Sequence, residues 1–406
     1  MDPSSFLHKY LVYNSGNECH RNYHIFSALV VLAATVQKRI YLNHGYFKVY
    51  PNLYVCLVGK QGFRKSTAKD VARDLLTSTF PELPIAANVQ SREDIIKFMA
   101  SDECLFSYTD ETGAIKELRP YVLLINELKN FLSINPGASI EFLTDIYDRD
   151  IFNSSTIKRG LENIINPCLN ILACETPSWI IDKLKTQIIS GGFSRRMIFD
   201  YETERGPKIS FPKLPEGGLA IWNELKAHLK KISTLVGEFL WGPGSRNFYS
   251  NWYQGLVQPE DDVMGGYYES KHIQLLKITM LLAVAEDPPV LVITQDLLKR
   301  GVAMLDSLEV NMPKLSIAAG RNELALPIQR IMEFVESNAG IVSSLGLKCF
   351  LNKDLRPQEH FSVLNFLNET EKLVLVNLPA QNGKPSGHFY VSREKYNELK
   401  AKGDIR

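Results

Sequence analysis

The chain has 406 residues, 45% apolar and 22% charged, which is material for several buried cores and points to two or three domains. Its net charge of +1 excludes a protein that coats polyanions with its whole surface, so any nucleic-acid contact must come from a local patch or an assembled ring. The six cysteines (Cys19, Cys56, Cys104, Cys168, Cys174, Cys349) lack metal-ligand or CxxC spacing and read as reduced core residues of a cytoplasmic protein. The N-terminus lacks the pattern of a signal peptide, and the apolar run Ile25 to Val36 is too short to span a bilayer.

Residues 1–50 read as a helical segment and a hairpin, with 1–40 helical and Phe26, Leu29, Val30 and Leu32 on a mainly apolar face. In the hairpin, Ile40 to Leu42 and Phe47 to Tyr50 flank His44-Gly45. Residues 51–205 alternate strands and helices. Leu53 to Val58 is an apolar strand, and a helix opens at Lys65-Ser66 and runs to about Thr79. Ser91-Arg-Glu-Asp94 is a capping box that starts another helix. Leu105 to Tyr108 and Ile115 to Leu118 flank the turn Asp110 to Gly113. Tyr121 to Ile125 and Cys168 to Cys174 are two further strands. This order predicts an α/β domain with a largely parallel sheet. A Pro-rich linker near Phe211 to Pro215 introduces residues 206–322, which read as helical, including 273–285 and 294–308. Residues 323–406 carry helical patterns at 327–337, about 343–350 and 357–369, then a strand at 372–377, a turn at 381–387 and a strand at 388–391. Three helices and a β-ribbon spell a winged helix, the alternative being a small α+β packing module.

The segment Gly59-Lys-Gln-Gly62-Phe-Arg64-Lys65-Ser66-Thr67 stands between strand and helix, where a phosphate-binding loop belongs. Backbone N–H groups of such a loop and of the helix N-terminus converge on phosphate oxygens. Lys65 would reach the β- and γ-phosphates of ATP, and the Ser66 hydroxyl would hold Mg2+. Arg64 occupies the position where the motif has its second glycine, and Gly62 is the candidate for the missing backbone freedom.

Three further groups complete a nucleotide-hydrolysis set. The strand Val122 to Ile125 ends in Asn126-Glu127. Glu127 would orient or activate water, and Asn126 would sit beside the magnesium, where an aspartate is usual. The simpler reading is a buried strand followed by a helix capped by Asn126. The strand 170–174 ends in Glu175-Thr176-Pro177. Thr176 is preferred over Glu175 as a polar sensor of the γ-phosphate, because a second carboxylate would repel phosphates; an N-cap is its other reading. Arg195 and Arg196 follow Gly191-Gly192 and precede a strand, so either could be an arginine finger, or both a solvated pair. His20 and His24 lie four apart with no third ligand in sequence, which argues against zinc. Asp145, Asp148 and Asp150 read as a solvated helix end. Lys271 and His272 read as a surface pair, or as lid-side cations for the nucleotide.

With these elements placed, the chain resembles a family of phage and mobile-element P-loop ATPases, which includes uncharacterised replicative-helicase and primase-helicase proteins. The resemblance spans about residues 20–310. It rests on Tyr50 to Tyr54 leading into Val58-Gly59, on Arg64-Lys65-Ser66, on Ile125-Asn126-Glu127 and on Asp145-Ile-Tyr147-Asp148. It continues through Ile165-Asn-Pro167, Thr176-Pro177 and Gly191-Gly-Phe-Ser-Arg195-Arg196. It implies a RecA/AAA+-like core that binds ATP and Mg2+, assembled as a homo-oligomeric, hexameric ring and acting on DNA. Arg64 and Asn126 depart from the family's commonest patterns.

Three functions follow as expectations. The first is a DNA-acting motor, a ring-forming replicative helicase, with Arg195 or Arg196 acting across the subunit interface. In it the C-terminal module meets DNA through the helix Gln358 to Phe366 and the wing residues Lys384 and His388. Residues 326–406 hold 11 Lys/Arg against 9 Asp/Glu, thin for a phosphate-dominated interface, so that module could equally bind protein. The second is a non-motor ATP switch, a loader, initiator or adaptor. The third, a metabolic P-loop kinase, has no small-substrate site to support it.

Overall fold

The computed structural model describes the chain except residues 1, 87–90, 134, 157–159, 186–191, 258–264, 313, 316–324, 352–356, 371, 379–386 and 403–406. Two compact units form, Met1–Ser316 and Ile317–Arg406.

The first unit begins with α1 (Phe6–Tyr13), whose N-cap Ser5 accepts from the His8 amide, and α2 (Arg21–Val36). Every α2 residue from Tyr23 to Val36 is buried. The sequence predicted one apolar face, but helices and sheet strands pack around α2, and an apolar helix of this kind is a core element rather than a surface one. The hairpin forms as read, from β1 (Ile40–Asn43) and β2 (Lys48–Val49). β3 (Tyr54–Val58) is wholly buried and leads through the loop 59–64 into α3 (Lys65–Thr79).

Next come α4 (Arg92–Ala100), with the capping box between Ser91 and Asp94, then β4 (Phe106–Thr109) and β5 (Ile115–Ile125). β5 is one strand of 11 residues where the sequence suggested two. Residues 115–118 pair with β4 and residues 119–125 pair with the later strand 167–175. Pro120, which cannot donate to a ladder, sits at this changeover of partners. After α5 (Leu128–Phe131) and α6 (Pro136–Ile146), a hairpin that the sequence reading missed projects as β6 (Ile151–Thr156) and β7 (Gly160–Ile165). Its residues alternate only weakly in polarity, so the period-two signal was faint.

β8 (Pro167–Glu175), α7 (Pro177–Lys185) and β9 (Met197–Tyr201) complete the sheet. Its order is β4-β5-β8-β3-β9, parallel except for the edge strand β4. The predicted α/β class with a largely parallel sheet therefore stands.

The stretch after the linker contains α8 (Gly218–Ile232), β10 (Gly237–Glu238), β11 (Leu240–Trp241), α9 (Ser245–Gln254), α10 (Gly265–Ala285), β12 (Val292–Ile293) and α11 (Gln295–Glu309). It is not purely helical: β10 pairs with β1, and β11 pairs with β12. Among the described residues no helix is long and apolar enough to cross a membrane.

The second unit has α12 (Ala325–Ser337), β13 (Ile341–Ser343), α13 (Ser344–Leu351), α14 (Pro357–Glu369), β14 (Leu373–Leu378), β15 (Gly387–Ser392) and α15 (Arg393–Ala401). Its antiparallel sheet runs β13-β15-β14. Ile331, Val335, Leu347, Val363, Leu367 and Leu373 form its core, and Phe334 stacks on Phe350 at 4.1 Å. The short β13 and terminal α15 were not foreseen. Lys384 and most of the expected turn 381–387 lie outside the described residues.

Candidate functional site

The loop after β3 is shaped by three residues for three different reasons. Gly59 is required by space: a Cβ there would lie 2.2 Å from the Tyr23 hydroxyl oxygen. That hydroxyl donates to the Val58 carbonyl at 2.7 Å, so α2 is fastened to the last residue of β3. Gly62 is required by conformation, with φ +83° and open space around it. Arg64 has φ 59° and ψ 24°, the left-handed region, as the residue just before α3. The position therefore demands what glycine gives freely, and a side chain there costs about 1–2 kcal/mol. Gly62 does supply backbone freedom, as expected, but Arg64 takes a positive φ as well, so Gly62 does not remove the demand at residue 64.

What holds Arg64 there is Glu18. Its carboxylate accepts from Arg64 Nε at 3.1 Å and pairs with Arg64 Nη2 at 3.0 Å. It also takes Arg205 Nη2 at 2.7 Å and the Ile209 amide at 3.3 Å. The Ile209 amide, then the two arginines, holds the Glu18 carboxyl below its usual range. Lys65 folds back over the loop, donating to the carbonyls of Gly59 at 2.6 Å and Lys60 at 3.0 Å. Partial burial lowers the Lys65 pKa, opposed by nearby negative groups that include Glu175. Ser66 is exposed and Thr67 half-buried in the first turn of α3, where helix amides lack intrahelical partners.

Sheet register brings the other strand tips to this loop. Val58 pairs with Glu175, and Ile125 pairs with Ala173, so residue 127 lies level with Glu175 and with the start of the loop. Asn126 and Glu127 are exposed there. Glu127, not Asn126, stands at the N-cap position of α5, without a side-chain cap bond. Its carboxylate pairs with Lys129 Nζ at 3.0 Å.

The residue passed over in the sequence is Glu175, only 2% exposed. One oxygen accepts from the Lys129 amide at 2.8 Å, the other from the Thr176 amide at 2.8 Å and the Thr176 hydroxyl at 3.2 Å. Its charge is spent on pinning the β5 tip to the β8 tip. The signal available in sequence was a carboxylate closing an otherwise apolar strand directly before Thr-Pro. Thr176 offers its carbonyl to the Ile180 amide at 3.3 Å, the first turn of α7, so it bridges strand tip and helix start.

Arg195 and Arg196 are not at this tip. They precede β9, whose Met197 pairs with Tyr54 at the start of β3, while Tyr201 pairs with Val58 at its end. The two arginines therefore stand at the opposite edge of the sheet from the loop. They also differ from each other. Arg196 is anchored, donating to the Gly192 carbonyl at 2.8 Å, 3.6 Å from Asp148 and stacked 5.7 Å from the Tyr147 ring centroid. Arg195 is half exposed and, among the described residues, its ion-pair partner is Glu269 at 3.6 Å. Gly191 lies outside the described residues.

Other expectations resolve into structural contacts. Lys271 is buried and clamps α10 to α11 through Asp306 at 3.1 Å and Glu309 at 2.7 Å, so neither the surface pair nor the lid-side cation describes it. His272 packs against Tyr253 at 4.4 Å. His24 is buried beside Asn17 at 3.0 Å and burial lowers its pKa to about 4, while His20 approaches Glu202 at 3.4 Å. Asp145 pairs with Arg149 at 3.9 Å, and Asp148 with Arg196 and, at 4.0 Å, with Lys277. Lys277 is a fully buried cation that burial brings down to about 8, held by Asn52 Oδ1 at 2.7 Å. All six thiols are free, five buried and Cys349 exposed. Beside the loop, burial and the neighbouring Glu202 push the Asp200 carboxyl well above its ordinary range.

No family model and no curated protein matches the chain.

Proposed function

We propose that the chain is a P-loop ATPase of RecA/AAA+-like build that binds Mg-ATP and acts on DNA as a ring-forming motor of the replicative-helicase kind. One observation carries the reading: parallel register sets the loop 59–66, Asn126-Glu127 and Thr176 at one edge of a single sheet, with Lys65 in the loop. The strand order, with two strands between the loop strand β3 and the edge strand β4, supports the same reading.

The residues at the tip fit the ligand. Gly62 and the helix start leave amides and open space for phosphate oxygens, and Lys65 exchanges its two carbonyl partners for them. The Ser66 hydroxyl and the Asn126 amide oxygen would hold magnesium, which supplies charge neutralisation at the phosphates. Glu127 leaves Lys129 to orient water, and Thr176 faces the same edge as the polar sensor. Arg195, the more exposed of the pair and remote from its own loop, is the finger for a neighbouring subunit, which explains why the site needs a homo-oligomer.

In the second unit the order helix, strand, helix, helix, strand, strand supports a winged helix, with α14 as the groove-facing helix and His388 at the base of the wing.

Three substitutions and one assay test this. Lys65→Ala should abolish nucleotide binding, and Glu127→Gln should bind ATP but not turn it over. A Glu127→Gln variant that hydrolyses ATP at the wild-type rate removes the assigned water-orienting role. Arg195→Ala, mixed with Lys65→Ala, should restore some turnover if the finger acts in trans. ATPase activity with and without single-stranded DNA, beside mass in solution with and without ATP, separates a motor from a non-motor switch. The switch reading has its own support in the pairs Arg64–Glu18 and Glu127–Lys129, which a slow, binding-controlled site would keep closed.

A further inference from the structure

At the edge of the sheet where β3 begins, the β1–β2 hairpin presents its loop to solvent. Tyr46 is 106% exposed and Phe47 52% exposed. Large apolar side chains exposed side by side are uncommon on a surface without a binding role. Phe47 belongs to a longer run of rings. Phe47 meets His44 at 5.2 Å, His44 meets Tyr249 at 6.2 Å, and Tyr249 contacts Trp241 at 5.6 Å and stacks on Tyr253 at 6.2 Å. Tyr253 is itself 45% exposed. A surface cleft of about 490 Å³ opens beside this run, lined by Trp241, Arg246 and Glu238 among others.

The cations on this face rest on rings. Lys48 Nζ sits 3.8 Å from the Tyr41 ring centroid, and the Arg246 guanidinium lies 5.9 Å from that of Trp241. Among the described residues neither has a carboxylate within ion-pair range, whereas the buried Lys69, Lys271 and Lys277 of this unit do. Glu238, Glu269 and Glu111 are acidic groups nearby; Glu269 is already engaged by Arg195 at 3.6 Å, and Glu111 accepts from the Tyr41 hydroxyl at 2.9 Å.

The geometry points to a binding face for single-stranded nucleic acid, with bases stacked on the exposed rings and phosphates met by Lys48 and Arg246. Every base has a π-face, so such a platform is sequence-tolerant, and only unpaired bases can reach it. Cations without acidic partners, beside rings, complement a chain of aromatic bases joined by phosphates. A second copy of this chain fits less well, because the cores of protein interfaces are depleted of lysine and Lys48 adjoins the two most exposed rings of this face. The assignment rests on the nucleic-acid part of the proposed function and names where, on the first unit, the strand lies.

The test is fluorescence anisotropy of a labelled oligo-dT, an oligo-rU and a duplex with the full chain, alongside binding of a fluorescent ATP analogue and mass in solution. Tyr46→Ala/Phe47→Ala changes only solvent-facing side chains and should weaken oligo-dT binding about tenfold or more, with nucleotide binding unchanged. Arg246→Ala should weaken it too and flatten the salt dependence by about 0.7 in the log–log slope. Glu238→Gln should tighten it. The oligo-rU arm decides between DNA and RNA as the strand bound. Wild-type affinity of the double variant for both oligomers overturns the assignment, as does a preference for duplex. A fall in solution mass with unchanged oligomer affinity also overturns it and makes the face an interface between copies. Loss of ATP binding in wild type with ring-dependent oligomer binding would instead sink the ATPase reading and leave this face standing.

Discussion

The two edges of the central sheet are built in opposite ways. At the edge where β3, β5 and β8 end, the polar groups are tied to one another: Glu175 holds two backbone amides, Glu18 holds two arginines, and Lys65 closes on its own loop. At the edge where β3 and β9 begin, Tyr46, Phe47 and Arg195 stand in solvent and Lys48 rests on a ring. A site that must hold a small, highly charged ligand needs fixed donors, because each hydrogen bond is worth more when no group has to be ordered first. A face that meets a long flexible polymer gains from accessible rings and long side chains instead. In the function proposed above, nucleotide belongs to the first edge and the nucleic-acid strand to the second.

The largest expected effect tests the tied edge directly. Lys65→Ala should lower affinity for an ATP analogue by about a hundredfold or more, as loss of a charge-assisted contact to phosphate predicts, and should leave oligonucleotide affinity intact. If both fall together, the edges are not independent. Glu175→Ala comes next. Removing a buried carboxylate that accepts from two amides should destabilise the protein by about 3–5 kcal/mol, read from urea unfolding, and release the Glu127 tip.

His24 supports the same edge from within α2, through Asn17. In the unfolded chain its imidazole takes a proton near 6.5, while in the fold it resists until about 4. The unfolded state therefore binds the extra proton between these values. The His24 contribution to stability, read as wild type minus His24→Gln, should be flat above pH 6.5 and fall by about 3 kcal/mol as pH drops toward 4. An unchanged slope in His24→Gln contradicts the buried neutral imidazole. Asp200 has the opposite sign: its raised carboxyl makes the fold favour the protonated form, so its contribution is lost as pH rises, and Asp200→Asn should remove that loss.

The smallest effect concerns Arg64. Arg64→Gly relieves a strained left-handed residue but gives the unfolded chain more freedom, so net stability should move by no more than about 1 kcal/mol. Arg64→Val, β-branched at positive φ, should cost more than Arg64→Gly, and thermal melts of the two variants decide it.

The elements of the edge that carries the loop 59–64 were legible because local rules govern them. Apolar runs at 53–58 and 121–125, the capping box at Ser91 and the helix start at Lys65 need only neighbours in sequence. The structural role of Glu175 was not legible because its partners, the amides of residues 129 and 176, come together only through strand register. The aromatic face was invisible for the same reason: Phe47, Trp241 and Tyr253 belong to segments some two hundred residues apart.

The sequence by itself determined where phosphate chemistry could sit, since a strand, a glycine loop and a Lys-Ser helix start are contiguous. It could not say what Arg64 does, because the answer depends on Glu18 reaching across from the α1–α2 loop. It could not separate Arg195 from Arg196 either, because Tyr147 and Asp148 anchor only one of them. Those distinctions are set by packing between distant segments, which periodicity and spacing do not encode.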